Sequence, residues 1–372
     1  MFLAIRRVGT FFILPLLSIW ILGCGAFSGG GNHVSPPVHI VPPQAGIGYT
    51  PAQIRHAYGI DQLSTTGAGQ TIAIVDAFGS PTLQQDLNTF NARYGLPPAS
   101  LTIAYPDGQP PMTDSGWALE TSLDVEWAHA VAPNANILLV IAPSSTLINL
   151  LDGVDYAAQH AAQVSMSWGG DEMPDEVVLD AHFNRPGVTF FAAAGDTGPG
   201  VSWPAASPFV IGVGGTTLRL TAANTRSSEI AWSSGGGGQS QYETEPSFQL
   251  PWQTSGSRQV PDVSYDADLM TGFMVFDSTP VSGQSGWVIL GGTSAGTSQW
   301  TALWALANAG RITPLSGNAA LYTLGSPATL HNYFFDVTSG GNSKFSAGPG
   351  YDMVTGLGTP LANTLIPKLM AF

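Results

Sequence analysis

Two rhythms of apolar and polar residues alternate along this chain. Thr71-Ile72-Ala73-Ile74-Val75 is a continuous apolar run ending at Asp76, and Ser80-Pro81 then opens an amphipathic stretch to Tyr94, with Gly95 as its stop. The run predicts a strand buried on both faces, and the stretch predicts a helix with a glycine terminator. The alternation continues with a helix over Trp117 to Ala130, a strand over Ile137 to Ile141, a helix from Ser145 to His160, and strands at Val164 to Ser167 and Val188 to Ala194. Buried strands alternating with helices predict an α/β fold with a doubly wound, mostly parallel sheet. Beyond Gly195 the texture changes to Gly, Ser and Pro, with short apolar pieces at Phe209 to Val213, Gly272 to Phe276 and Val288 to Leu290. Loops are expected to dominate there, and Gly235-Gly236-Gly237-Gly238 reads as a surface loop. Near the end, the apolar run Trp287 to Leu290 meets Gly291-Gly292-Thr293-Ser294-Ala295-Gly296 and then the apolar stretch Ser298 to Ala307. That order predicts a buried strand, a tight glycine corner and a helix, with Ser294 at the corner.

Composition narrows the possibilities. With 372 residues, 44% hydrophobic and only 10% charged, one principal domain with a large core is expected. The formal charge is −14, and the 11 Lys and Arg form no basic run, which argues against nucleic-acid binding. Few basic groups also limit positive self-repulsion in acid, so the balance suits acidic surroundings. The single cysteine, Cys24, excludes an intrachain disulfide. It follows Arg6-Arg7 and the apolar run Phe11 to Leu22, so residues 1–24 read as a secretory signal. Ile21-Leu22-Gly23-Cys24 resembles a bacterial lipobox, which implies lipidation of Cys24 and a membrane-anchored, exported protein. An uncleaved anchor and a twin-arginine signal are the other readings, and all three place the body outside the cytoplasm. Residues 25–48, with Ser28-Gly29-Gly30-Gly31, Pro36-Pro37 and Pro42-Pro43, have the composition of a flexible tether.

The corner serine has two readings. A serine just before a helix is commonly an N-cap, whereas a glycine corner that exposes its hydroxyl and its N–H together suits a nucleophile with its own oxyanion donor. A nucleophile needs a base. The seven histidines, His33, His39, His56, His129, His160, His182 and His331, include none in a His-Gly-Thr type of corner, and His129 reads as a packing residue. Carboxylates are therefore the candidates. Glu120 and Asp124 are four residues apart in Trp117 to Trp127, so a helix projects them about 40° apart on one face. On a solvated face this is an ordinary pair of acids. Among Leu119, Leu123, Val125 and Trp127 the two would tend to share a proton. Glu126 points away from that pair. Asp196, in Ala194-Gly195-Asp196-Thr197-Gly198, falls at the end of a buried strand, where parallel sheets place ligands, though an Asp between glycines is also a common turn residue.

From Tyr49 to Phe372 these residues resemble the sedolisins, the serine-carboxyl peptidases of subtilisin-like fold that include kumamolisin and the tripeptidyl-peptidases. Glu120 and Asp124 match the family's Glu-x-x-x-Asp pair, Asp196 its oxyanion aspartate and Ser294 the nucleophile of its Gly-Thr-Ser motif. Ser202-Trp203-Pro204-Ala205-Ala206-Ser207-Pro208, Val213-Gly214-Gly215-Thr216 and Pro261-Asp262-Val263-Ser264 are similar to its core loops. The resemblance implies hydrolysis of protein or peptide substrates, best in acid. It also implies a calcium loop, with Asp336 and Asp352 side chains and the carbonyls of Val337, Gly348 and Gly350 as ligands; without the family these are turn residues. Two positions depart from the pattern: Ser298 stands where the family usually has Pro, and Gly291 where it usually has Ser. The stretch before Tyr49 is too short for the large propeptide that sedolisins carry. Trp168 reads either as a neighbour of the acidic pair, as the resemblance implies, or as a core aromatic after a strand, and analogy to the subtilisin-like fold puts Ser165 to Gly170 along the pocket for the substrate side chain. The rivals are a subtilisin-type triad that uses Asp76, and a surface lipoprotein that keeps the fold for binding alone.

Overall fold

The computed structural model describes Val34 and residues 39–41, 48–281 and 283–372. Cys24 and the rest of the expected signal, with most of the expected tether, lie outside these residues. Three tether residues, His39–Val41 (β1), form a strand against the body.

The first expected strand and helix are present as β2 (Thr71–Ala77) and α2 (Leu83–Tyr94), after a short α1 (Pro51–Ala57). Gly95 ends α2 in the left-handed conformation, φ 66°, which glycine adopts without the Cβ penalty. An edge strand that the apolar pattern does not reveal, β3 (Ser100–Ala104), comes next, because only half-burial is required of it. Then follow α3 (Ser115–Val131), β4 (Asn136–Ala142), α4 (Leu147–His160), β5 (Gln163–Met166), a two-residue β6 (Gly170–Asp171), the short α5 (Glu176–Leu179) and β7 (Thr189–Ala193).

Past Gly195 the expectation of dominant loops is corrected. β8 (Ser202–Trp203), the eleven-residue β9 (Val210–Leu220), β10 (Arg226–Ala231), β11 (Gly238–Thr244), β12 (Ser257–Val260), β13 (Val263–Asp266) and the hairpin β14 (Phe273–Val281) with β15 (Gln284–Gly291) all occupy this region. Gly214 and Gly215 of β9 let Pro261 and Trp232 approach closely, and such glycines break up the apolar run that would announce the strand.

The main sheet has eight strands in the order β10-β9-β7-β5-β2-β4-β3, with β13 beside β9. All pairs are parallel except β10 with β9. This is the doubly wound α/β sheet that the alternation predicts. The chain lays β3 and β4 on one side of β2 and then crosses to β5 on the other. Open parallel sheets place ligands at the carboxyl ends of the strands flanking such a reversal. One face is covered by α4, and the other by α3 and the helix α6 (Thr293–Asn308). All sixteen residues of α6 are buried, so it is a central helix with no solvent face.

β1 pairs antiparallel with β15, His39 lying opposite Gly291. Val34 is buried and donates its N–H to the Ser145 carbonyl at 2.9 Å. The expected tether is therefore bound in part along the edge that leads to the glycine corner.

Candidate active site

The corner is built as the sequence implies, with one refinement that removes the N-cap reading of Ser294. The N-cap is Gly292, at φ 122°, and Ser294 is the second helical residue. Its N–H is thus one of the first-turn donors without an intrahelical acceptor, and the helix dipole favours negative charge there.

Asp196 lies just past β7, at the carboxyl edge of the sheet, and docks onto the same helix end. Its Oδ1 accepts from the Thr293 N–H at 2.9 Å and the Thr293 hydroxyl at 2.8 Å, while Oδ2 is buried without a partner. Burial pushes Asp196 up to about 7, against the lowering effect of the Thr293 bonds. The loop is held from behind by Gly236, whose N–H donates to the Gly195 carbonyl at 2.7 Å. A Cβ at Gly236 would lie 2.0 Å from the Ala194 carbonyl oxygen. Gly235 to Gly238 are all buried, so the surface-loop expectation for this run is corrected: its glycines serve close backbone packing.

α3 brings in the acids. Asp114 caps it, accepting from the Trp117 N–H at 3.0 Å, and every residue from Trp117 to Val131 is buried. Glu120 and Asp124 are each 0% exposed, which excludes the solvated-face reading. Glu126 goes its own way and accepts from the Phe276 N–H of β14 at 3.1 Å. Glu120 is pushed well above the usual carboxyl range by burial and then by Asp124, with Asp76 and Asp196 adding to it and the Ser294 hydroxyl opposing. Asp124 is raised by burial and by Asp76, and the hydroxyls of Ser167 and Ser298 oppose. Ser298, the departure from the family's Pro, thus faces the acidic pair with a hydroxyl.

Asp76 is part of this cluster, although its role differs from the triad that its place after a strand suggests. It ends β2 beside Asp124, fully buried, and burial raises it to about 7 while Thr121 opposes. The Trp168 indole donates to the neighbouring Val75 carbonyl at 2.8 Å, which places Trp168 near the acids, as the resemblance implies. No described histidine side chain serves either Asp76 or Ser294: His56 pairs with Asp61, His129 with the Pro97 carbonyl, His160 with the Tyr156 carbonyl and His182 with Asp155, and His331 is exposed. What the sequence pattern could have offered for Asp76 was its place at the carboxyl edge of the central strand.

Although the Ser294 hydroxyl lies close enough to Glu120 to favour its charged form, no hydrogen bond is closed between them. Both oxygens of Asp76, Glu120 and Asp124, together with Ser294 Oγ and Asp196 Oδ2, are buried and unpartnered. Such a concentration of unsatisfied groups marks function rather than packing, and catalytic hydrogen bonds commonly tighten only when substrate arrives.

These carboxyls bind their protons more tightly folded than unfolded. The stability they contribute is complete below the unfolded carboxyl range, about pH 4, and is lost as pH rises through about 7, where Asp76 and Asp196 ionise. The urea midpoint is therefore expected to be higher at pH 4 than at pH 8, and a midpoint that rises with pH would contradict the protonated cluster.

The expected calcium loop lies apart from this site. Asp336 Oδ2 accepts from the Gly350 N–H at 2.9 Å, and Asp352 accepts from Gly348, Val354 and Thr355 N–H groups at 2.8–3.0 Å. Asp336 Oδ1 is buried and unpartnered, and no ion pair among the described residues neutralises either acid. No group of three or more His, Cys, Asp or Glu among the described residues is placed to hold a metal ion. A set of two carboxylates with carbonyls is of a different kind and suits a hard cation.

A sequence profile of the subtilase family matches residues 115–316, from the first turn of α3 through α6. The chain belongs to the subtilase family. Among subtilases it is similar to the sedolisins. It is 33% identical to kumamolisin of Bacillus sp. (strain MN-32), over 87% of this chain and 64% of kumamolisin. It is 28% identical to sedolisin of Pseudomonas sp. (strain 101), over 84% of this chain and 60% of that protein. The chain thus spans less than two thirds of the length of these curated relatives. The solved structure of Pseudomonas sedolisin, a serine-carboxyl proteinase complexed with two molecules of pseudo-iodotyrostatin, superposes with a TM-score of 0.77 at 29% identity. That superposition covers 87% of this subtilase and 98% of the solved chain.

Proposed function

We propose that this subtilase is an acid-acting serine-carboxyl peptidase, with protein or peptide substrates. Ser294 attacks the peptide carbonyl and passes its hydroxyl proton to Glu120, which Asp124 orients, with Asp76 behind. The three acids titrate as a unit, and the adjacent Ser294 hydroxyl favours the charged form of Glu120. Protonated Asp196 donates from Oδ2, and Ser294 from its N–H, to the tetrahedral oxyanion. Glu120 then returns the proton to the departing amine, leaving an acyl-enzyme ester on Ser294. Water attacks that ester with Glu120 again as base, releasing the acid product and restoring the hydroxyl.

The observation that carries this reading is the Ser294 hydroxyl buried beside unpartnered Glu120, on the helix end where Asp196 leaves one oxygen unpartnered. The absence of a histidine from this group, among the described side chains, disfavours the Asp76 triad, and the filled catalytic positions disfavour a binding-only lipoprotein. Hydrolysis of a mixed peptide pool by the full chain at pH 4, absent from Ser294→Ala, is the expected result. Equal hydrolysis by the variant would overturn the reading.

We further propose one peptidase domain over residues 49–372, preceded by a signal at 1–24 and a tether at 25–48. Export, with lipidation of Cys24, is supported by the Ile21 to Cys24 motif. The unpartnered Asp336 Oδ1 supports one structural calcium ion held by the Asp336 and Asp352 side chains and the carbonyls of Val337, Gly348 and Gly350. Removing it with a chelator is expected to lower the melting temperature by roughly 5 °C, the scale set by a ligand at about a hundred times its dissociation constant. Asp336→Asn should melt alike with and without chelator, and a chelator effect that persists in the variant would count against the site.

A further inference from the structure

A cavity of about 480 Å³ opens among the segments that follow β5 and β7, lined among others by Asp171, Glu172, Val201, Gln239, Lys344 and Phe345. Its walls continue the two loops that touch the nucleophile helix. One loop leaves β5 with Ser167, whose hydroxyl reaches the Ser294 carbonyl at 3.4 Å, and runs through Trp168 into β6 and Glu172. The other leaves β7 with Asp196 and reaches Pro199 to Val201 three to five residues later. Pairing of β6 with β8 ties the two loops together, and Gly200 bridges to Gly237 behind them. A peptide carbonyl between Ser294 and Asp196 Oδ2 would send the side chain on its acyl side between these loops.

We infer that this cavity receives that acyl-side substrate side chain and that Glu172, with Asp171, selects a lysine or an arginine there. The inference rests on the peptidase reading and adds a substrate class to it. Glu172 is fixed in place, since one oxygen accepts from the Ser240 hydroxyl and the other from the Gln241 N–H at 3.2 Å, while both retain acceptor sites for an incoming cation. Behind it lie Glu176, Asp180 and Glu243, each buried with one unpartnered oxygen. Burial raises Glu176 to about 8 and Glu243 to about 7, so these two are neutral in acid and Glu172 and Asp171 are the acids the substrate meets. The fully buried Arg258 is committed to Asp262, and the exposed Lys344 lies over the Phe345 ring at 5.0 Å from its centre. The carboxylates therefore outnumber the one mobile cation at the rim.

The test uses three peptides that differ only in arginine, leucine or glutamate immediately before the scissile bond. The full chain is expected to favour arginine over glutamate in kcat/KM. Glu172→Gln should lower kcat/KM for the arginine peptide by about tenfold, the scale of one lost charge-assisted hydrogen bond, with the leucine peptide unchanged. Lys344→Glu should strengthen the arginine preference. Equal use of all three peptides by the wild type, or an arginine-to-leucine ratio that Glu172→Gln leaves alone, overturns the inference without touching the peptidase reading. Failure to cleave any peptide, with Ser294 unreactive to an active-site probe, overturns both. Intact Ser294 labelling in the variants shows that they are folded.

Discussion

Glu120→Gln is expected to lower kcat about 10⁴-fold, with KM little changed, because the amide keeps the shape of the side chain and cannot take the Ser294 proton. Two features separate this from a merely structural defect. Glu120 is buried among Asp124, Asp76 and Asp196, all of which raise it, so its charged form is a burden on the fold at neutral pH. Replacing it with a neutral isostere should leave the melting temperature at pH 7 unchanged or raise it. Loss of activity with equal or greater stability is the signature of a base held at the expense of the fold. If Glu120→Gln instead melts lower and keeps most of its kcat, the carboxyl is part of the packing and the base lies elsewhere.

The second large effect concerns pH. Asp196 donates to the oxyanion only while protonated, and burial holds it at about 7. Activity that depends on the protonated form is present below that value and lost above it, so the alkaline limb of kcat should fall near pH 7. Asp196→Ala removes the donor and should reduce kcat about 10²–10³-fold. Asp196→Asn is more informative. Its amide oxygen can accept from Thr293 as Oδ1 does, and its nitrogen occupies the place of Oδ2 as a donor that does not titrate. This variant should retain more activity than the alanine variant and lose the alkaline limb that Asp196 imposes. An unchanged limb in Asp196→Asn would show that Asp196 does not impose it.

How much of this was legible in the sequence varied with the physics of each part. The Glu120 and Asp124 pair was readable because a four-residue spacing in an apolar stretch has one geometric meaning on a helix. Its burial was not readable, since a helix with six buried polar positions and no exposed face beyond its first turn has no amphipathic pattern to report. Ser294 and Asp196 stood out through their glycine corners, but only the structure shows Gly292 taking the cap and Thr293 joining the two. The parallel strands up to β7 carried the apolar runs that full burial demands. From β9 to β14 the short apolar pieces are separated by Gly, Ser and Pro, so composition read most of this region as loops, while Trp287 to Leu290 of β15 was readable as a strand. Asp76 was visible only as the acid of the rival triad: its position near a strand end was read, while the partner it meets there is Asp124 rather than a histidine.

The central claim is that Ser294 is an activated nucleophile served by carboxyls, and covalent trapping tests it most directly. A fluorophosphonate or peptide-aldehyde probe, applied to the full chain across pH 3 to 9 and mapped by mass spectrometry of its peptides, reports both the residue and its titration. The account predicts an adduct on Ser294 in acid, fading as pH rises through about 7, and absent from Ser294→Ala and Glu120→Gln. An adduct on another residue, or Ser294 labelling that Glu120→Gln leaves undiminished, would contradict it.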